Sequence, residues 1–248
     1  REQVFAMSDT YYDTKVVIAT KKANKITSYD QLKGKTVGVK NGTAAQRFLQ
    51  KNKDQYGYTI KTFDTSDLMN NSLSTGAVDA IMDDQPVIEY AIKQGQDLSI
   101  NMEGEAVGSF AFGVKKDGSH ENLIKQFNTA LAQMKKDGTL DQIIEKWTGS
   151  SQSSSSTTTT ASTSAVPETS TEAGQKATPK KKKYKISSDS SFAPFVFQND
   201  QSKYTGIDME LIKAIAKDQG FTLEISNPGF DAAVSDVQNG NADGMIAG

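Results

Sequence analysis

Between Ser150 and Thr178, 17 of 29 residues are Ser or Thr and almost none is apolar, so this stretch has too little surface to bury to offset the entropy of ordering it. The chain is therefore expected to fold as two ordered segments, 1–149 and 184–248, joined by a disordered linker over 150–183. A flexible tether of that length spans roughly 30 Å on average, enough to join two domains or to return to the one it left. The linker ends in the lysines Lys180 to Lys183, which read as a solvated lead-in to the next strand, with a membrane or nucleic-acid patch as the competing reading.

Both segments alternate short β-rich runs with helical patterns, which predicts an α/β fold. In the first segment the strands are Val16 to Ala19, Thr36 to Val39, Ile60 to Phe63, Ala80 to Met82 and Ser109 to Val114, with helices at Thr43 to Lys51, Ser66 to Ser74 and Pro86 to Lys93. From Glu121 to Lys136 the residues Leu123, Ile124, Phe127, Leu131 and Met134 form one helical stripe, and Leu140 to Trp147 forms a second short helix anchored by Trp147. In the second segment Tyr184 to Ser187 is a strand, Ile207 to Lys217 a helix, Thr222 to Ile225 a strand, Ala232 to Val237 a helix and Gly244 to Ile246 a strand. The runs Gly76 to Met82 and Gly240 to Ile246 echo each other, each a glycine exit from a helix, an aspartate turn and an apolar strand. Two lobes built alike would produce that echo, as would chance recurrence of a common turn.

Composition removes several chemistries. The chain has no cysteine, which excludes thiolate nucleophiles and Cys-based metal sites in this stretch. Its single histidine, His120, sits in a Gly-Ser-His-Glu turn and reads as an exposed loop residue. A formal net charge of -2 gives no global reason to expect nucleic acid as a partner. No apolar run approaches the length of a membrane span, so any export signal or anchor is expected outside the sequence, and no Walker motif is present for nucleotide hydrolysis.

Three constellations can hold a ligand. Val39 to Ala44 is a strand, a glycine turn and a helix start, whose free N–H groups near Thr43 and Ala44 suit a carboxylate, although the same pattern serves as an ordinary helix cap. Asp83 and Asp84 stand between a strand end and a proline-led helix, suited to an ammonium or to helix capping. As neighbours on extended backbone they point different ways, which argues against a shared catalytic proton. The third is Asp189 to Phe195 with Asn227 to Asp231, where Phe192 and Phe230 can wall a slot while Phe195 and Phe197 pack in the core.

Taken together these residues resemble the solute-binding proteins of polar amino-acid ABC importers, the glutamine-binding type in particular. The resemblance rests on Asp-Ser-Ser-Phe-Ala-Pro-Phe at Asp189, Gly-Ile-Asp-Met-Glu-Leu at Gly206, Pro-Gly-Phe-Asp at Pro228 and Ala-Asp-Gly-Met-Ile-Ala-Gly at Ala242. It continues with Ser-Asp-Thr-Tyr-Tyr at Ser8, Val-Lys-Asn-Gly-Thr at Val39 and Asp-Asp-Gln-Pro at Asp83.

It implies a two-lobed periplasmic-binding-protein-like fold of type II with its segments in permuted order. Residues 184–248 would be the front of a binding domain, its first lobe. Residues 1–149 would be the back, with the second lobe at about 15–108 and a return to the first lobe over 109–149. Hinges are implied near Asp13 to Lys15 and near Val107 to Ser109.

The implied ligand set is Arg1 with the N–H groups of Thr43 and Ala44 for an α-carboxylate, and Asp84, beside Asp83, for an α-ammonium. Phe192 and Phe230 are the walls, Lys40 and Asp189 read the side chain, and Ala247 and Gly248 complete the site. A carboxylate beside an ammonium suits an amide, which favours glutamine or asparagine over glutamate.

Two departures stand out: Asp83 occupies a position where relatives can carry histidine, and the short family segment between Gly248 and Arg1 is missing. A piece of a tandem receptor, the back of one binding domain linked to the front of the next, fits that gap. The implied partner is an ABC permease, in an extracytoplasmic, membrane-associated setting, with no cofactor, metal or catalysis. An amino-acid-sensing domain and a dehydratase-like enzyme are the alternative functions.

Overall fold

The computed structural model describes residues 4–149 and 182–247. Arg1, Gly248 and the linker residues 150–181 lie outside the described residues. The first segment opens with β1 (Phe5–Thr20), β2 (Thr36–Lys40), α1 (Ala44–Tyr56), β3 (Thr59–Phe63) and α2 (Ser66–Ser74). It continues through β4 (Ala80–Asp84), α3 (Gln85–Lys93), β5 (Ser99–Ile100), β6 (Glu105–Lys115), α4 (Glu121–Asp137) and α5 (Thr139–Thr148). The second segment holds β7 (Lys183–Ser188), β8 (Phe197–Gln198), β9 (Tyr204–Thr205), α6 (Ile207–Gln219), β10 (Thr222–Ser226), α7 (Phe230–Asn239) and β11 (Gly244–Ile246).

The two segments share one sheet, in the order β10-β7-β11-β6-β1-β4-β2-β3, with β5 beside β1. The β7 strand runs parallel to both β10 and β11, and β11 meets β6 antiparallel at Met245 and Gly113. On the other flank β2 runs parallel to β3 and β4. Two parallel units are thus joined through the long antiparallel pair β1 and β6, whose register runs from Phe5 opposite Lys115 to Val16 opposite Glu105. That register breaks between Thr14 and Lys15, and Gly108 opposite Thr14 has a φ of 145°.

Most predicted elements reappear with shifted ends. The predicted strand at Val16 to Ala19 is only the apolar end of β1; its first half mixes buried, half-buried and exposed positions without alternation, and pairing with β6 rather than a local apolar run makes it a strand. The linker was expected to reach Lys183, but β7 begins there, held by a 2.7 Å ion pair from Lys183 to Glu224 and by pairing with Thr222. The predicted helix at Ala232 to Val237 starts earlier, at Phe230. On α4, Ile124 is only partly buried while Leu123, Phe127, Ala130, Leu131 and Met134 are buried.

The core beneath β6, α4 and α6 draws on both segments. Phe112 stacks on Phe127 at 4.9 Å, and Tyr184 meets Phe221 edge to face at 5.1 Å. Tyr11 donates to the fully buried carboxylate of Asp208 at 2.7 Å, which ties the Gly-Ile-Asp motif to the other segment. Gly206, which leads into α6, has a φ of 117°, and a Cβ there would stand 2.3 Å from the Phe195 carbonyl oxygen. Only glycine fits so close an approach. Trp147 packs edge to face on Phe197 at 5.4 Å, as a helix anchor. His120 departs from its reading as an exposed loop residue: it is half-buried at the start of α4, with Nε2 2.8 Å from Asp243 of the other segment.

Candidate functional site

The carboxyl ends of the two parallel units meet at the same place. The β2 strand finishes on Lys40, β4 on Asp83 and Asp84, and β7 leads into Asp189. The crevice outside the carboxyl ends of parallel strands is where α/β folds gather ligand groups. Here it is a cavity of about 630 Å³ lined from both segments, including Lys40, Thr43, Ala44, Asp84, Asp189, Phe192, Phe230 and Ala247. Eight of the eleven residues expected at the site thus line one cavity. Arg1 and Gly248 are outside the described residues.

The remaining one, Asp83, is a correction: it does not line the cavity. Its Oδ1 accepts from the Asp84 N–H at 2.9 Å and its Oδ2 from the Ser66 hydroxyl at 3.2 Å, and the residue is 2% exposed. Alternation along β4 sends adjacent side chains to opposite faces, so Asp83 braces α2 from behind while Asp84 faces the cavity. Burial raises the Asp83 carboxyl from 3.8 to about 6, against the lowering effects of the Asp84 N–H, Lys40 and Ser66.

Asp84 is the residue before α3, with extended φ and ψ of −60° and 136°, yet its carboxylate makes no capping hydrogen bond. Pro86 in the first turn supplies no N–H to cap. The carboxylate instead accepts from the Thr14 hydroxyl on β1 at 3.1 Å. It is held in place and lines the cavity.

Lys40 and Asp189 form an ion pair across the two segments, each side chain 3% exposed. The Lys40 ammonium also donates to the Ser191 carbonyl at 3.1 Å and lies 5.7 Å from the Phe192 ring and 5.9 Å from the Phe230 ring. Asp189 Oδ1 accepts from the N–H groups of Ser190 at 2.7 Å and Ser191 at 3.2 Å. Such saturation with hydrogen bonds is what lets a buried pair persist. Phe192 stacks on Phe195 at 5.1 Å, and Phe195, unexposed, stays in the core as expected.

At the start of α1 the Thr43 hydroxyl caps the Gln46 N–H at 3.2 Å, while Gln46 returns to the Gly42 N–H at 2.9 Å. Ala44 in the first turn lines the cavity, at the positive end of the helix dipole. Gly42 has a φ of 74°, and a Cβ there would stand 2.5 Å from Asp231 Oδ1 in the other segment. Beside it Asn41 donates to Asp231 at 3.1 Å. The two segments are therefore in direct contact around the cavity.

Sequence reasoning missed Arg47, Thr14 and the stretch Gly108 to Ala111, all of which line the cavity. Arg47 lies one turn into α1, and period 3.6 alone could have placed it near Thr43. The strand residues carried no local signal. Among the described residues no group of three or more His, Asp or Glu side chains is arranged to hold a metal ion.

Comparison with known proteins gives a family match. The model of bacterial extracellular solute-binding proteins, family 3, matches residues 1–150 and 184–248. The chain is 34% identical over 152 residues to the L-cystine-binding protein TcyJ of Escherichia coli (strain K12), covering 60% of this chain and 56% of that protein. It therefore spans little more than half the length of that relative. Among solved structures, an ancestral arginine-binding protein bound to glutamine is 35% identical with a TM-score of 0.54, over 60% of this chain and 65% of that one. The substrate-binding domain 2 of Lactococcus lactis GlnP, in an open conformation, is 44% identical with a TM-score of 0.46, over 60% and 65%.

Proposed function

This chain belongs to the bacterial extracellular solute-binding proteins of family 3, and we propose that it binds a polar L-amino acid, glutamine or asparagine in preference, by closure of a two-lobed clamp for import through an ABC permease. The observation that carries this reading is one cavity that gathers the Asp84 carboxylate, the N-terminus of α1 and the Lys40–Asp189 pair.

Each end of an amino acid has a counterpart there. The α-ammonium goes to Asp84, which Thr14 orients. The α-carboxylate goes to the Ala44 N–H and a guanidinium, supplied by Arg1 and aided by Arg47. The side chain runs between Phe192 and Phe230 toward Lys40 and Asp189. An amide can donate to Asp189 and accept from Lys40, whereas a glutamate carboxylate faces a like charge at Asp189. Ala247 lines the wall on the β11 side, and Gly248, outside the described residues, is assigned to the same ligand.

Closure is a hinge motion of β1 and β6 at Thr14 to Lys15 and at Gly108, where the ladder is already irregular. A ligand that touches both sides shifts the population toward the closed form. The parent protein is read as a tandem receptor outside the cytoplasmic membrane and tethered to it, with the Ser/Thr linker joining the back of one binding domain to the front of the next. The shared sheet is consistent with two repeats similar enough for parts of each to complement one another.

Calorimetric titration with the twenty amino acids, followed by mass analysis of the recovered ligand, tests the reading. Glutamine or asparagine recovered unchanged supports a clamp; a converted product points to an enzyme. Asp84→Ala and Arg1→Ala are each expected to weaken binding about tenfold or more, and wild-type affinity in either refutes its assigned role.

A further inference from the structure

Beyond the Lys40–Asp189 pair lies a second cavity, and we propose that it binds a small organic cation, an alkylguanidinium or alkylammonium. Its volume is about 310 Å³, half that of the larger cavity. Lys40 and Asp189 line the larger cavity, whereas Ser190 and Ser191, the next residues along, line the smaller. The Lys40 ammonium bonds to Asp189 and to the Ser191 carbonyl, so the ion pair stands between the two spaces.

The chemistry of the lining selects the ligand. Asp67 is its one charged side chain, and no Lys or Arg lines it among the described residues. Asp67 accepts from the Ser191 hydroxyl at 2.9 Å through Oδ2, which leaves a carboxylate with further lone pairs to satisfy. Asn70, also in the lining, has a buried Oδ1 with no hydrogen-bond partner. The lining thus carries one negative charge and one unpaired acceptor. Tyr90 and Phe197, with ring centroids 5.6 Å apart at 48°, add aromatic surface of the kind that attracts a planar cation.

The walls come from both sides of the clamp: Asp67 and Asn70 on α2, Tyr90 on α3, Ser191 and Phe197 in the other segment. An occupant that contacts both sides binds the closed arrangement better than the open one, so it raises the affinity for a ligand in the larger cavity. That coupling rests on the amino-acid reading above; occupancy of the second cavity does not.

Calorimetry of the 248-residue chain with propylguanidinium chloride, and with propylurea as the neutral analogue of the same shape, tests the site. Propylguanidinium is expected to bind wild type and Asp84→Ala alike, and propylurea and the Asp67→Asn variant are each expected to show affinity about tenfold lower or worse. Asn70→Leu, which removes the unpaired acceptor, is expected to weaken it too, with unfolding midpoints of both variants measured alongside. If Asp67→Asn lowers the midpoint, Asn70→Leu and the urea comparison decide. Equal affinity for the urea and the guanidinium, displacement by glutamine, loss of binding in Asp84→Ala, or no binding in the millimolar range overturns the proposal. Should glutamine not bind at all while propylguanidinium does, the amino-acid reading fails and the second site stands.

Discussion

Replacing Asp83 by Asn is expected to stabilise the protein at neutral pH, although Asp83 sits beside the proposed ligand site. The residue is 2% exposed, and burial lifts its carboxyl from 3.8 to about 6. The folded state therefore holds the proton more tightly than the unfolded chain does. Stability from this group is fully present below about pH 4, falls as pH rises between the two values, and is lost above about pH 6. At about 1.4 kcal/mol per tenfold in proton affinity, the interval from 3.8 to about 6 is worth roughly 3 kcal/mol. Asn keeps one oxygen to accept from the Asp84 N–H, and its NH2 donates to the Ser66 hydroxyl oxygen in place of the bond that hydroxyl donates to Asp83, but it gives up the attraction of Lys40. The net gain at pH 7 is thus about 1–3 kcal/mol, shrinking toward zero near pH 4. Urea unfolding of both proteins across that range measures the difference, and carbon NMR of the Asp83 carboxyl gives its titration directly. A difference that does not change with pH, a variant less stable than wild type above pH 6, or a carboxyl titrating at its ordinary value refutes the reasoning.

Lys40→Met leaves the Asp189 carboxylate buried without its cation, and is expected to cost about 3–5 kcal/mol in chemical denaturation. The double variant Lys40→Met, Asp189→Leu should recover most of that, and a double-mutant cycle in which the two losses simply add would show that the pair is not coupled. Gly206→Ala would place its Cβ against the Phe195 carbonyl in a left-handed backbone; a loss of about 2 kcal/mol or more is expected, read from the unfolding midpoint, and an unchanged midpoint would contradict it.

What the sequence determined by itself was whatever local spacing encodes. A period of two or 3.6 marked the elements, because one buried face is enough to set it. Strand ends marked Lys40, Thr43, Asp84 and Asp189, because each parallel unit presents such groups at the carboxyl ends of its strands. The family motifs added order, and Gly-Ile-Asp proved to hold a buried Tyr11–Asp208 hydrogen bond between segments.

Other features were decided only in three dimensions. The first half of β1 is a strand because β6 pairs with it, and β11 is placed by Gly113 across the linker. Asp83 and Asp84 look equivalent as letters, but the pleat sends one toward Ser66 and the other to the cavity. The joining of 1–149 with 184–248 in one sheet, the place of Arg47 and the second cavity behind the ion pair depend on contacts between residues far apart in the chain. Local periodicity carries no information about such pairs, because the energy that fixes them comes from burial and hydrogen bonding shared by both partners.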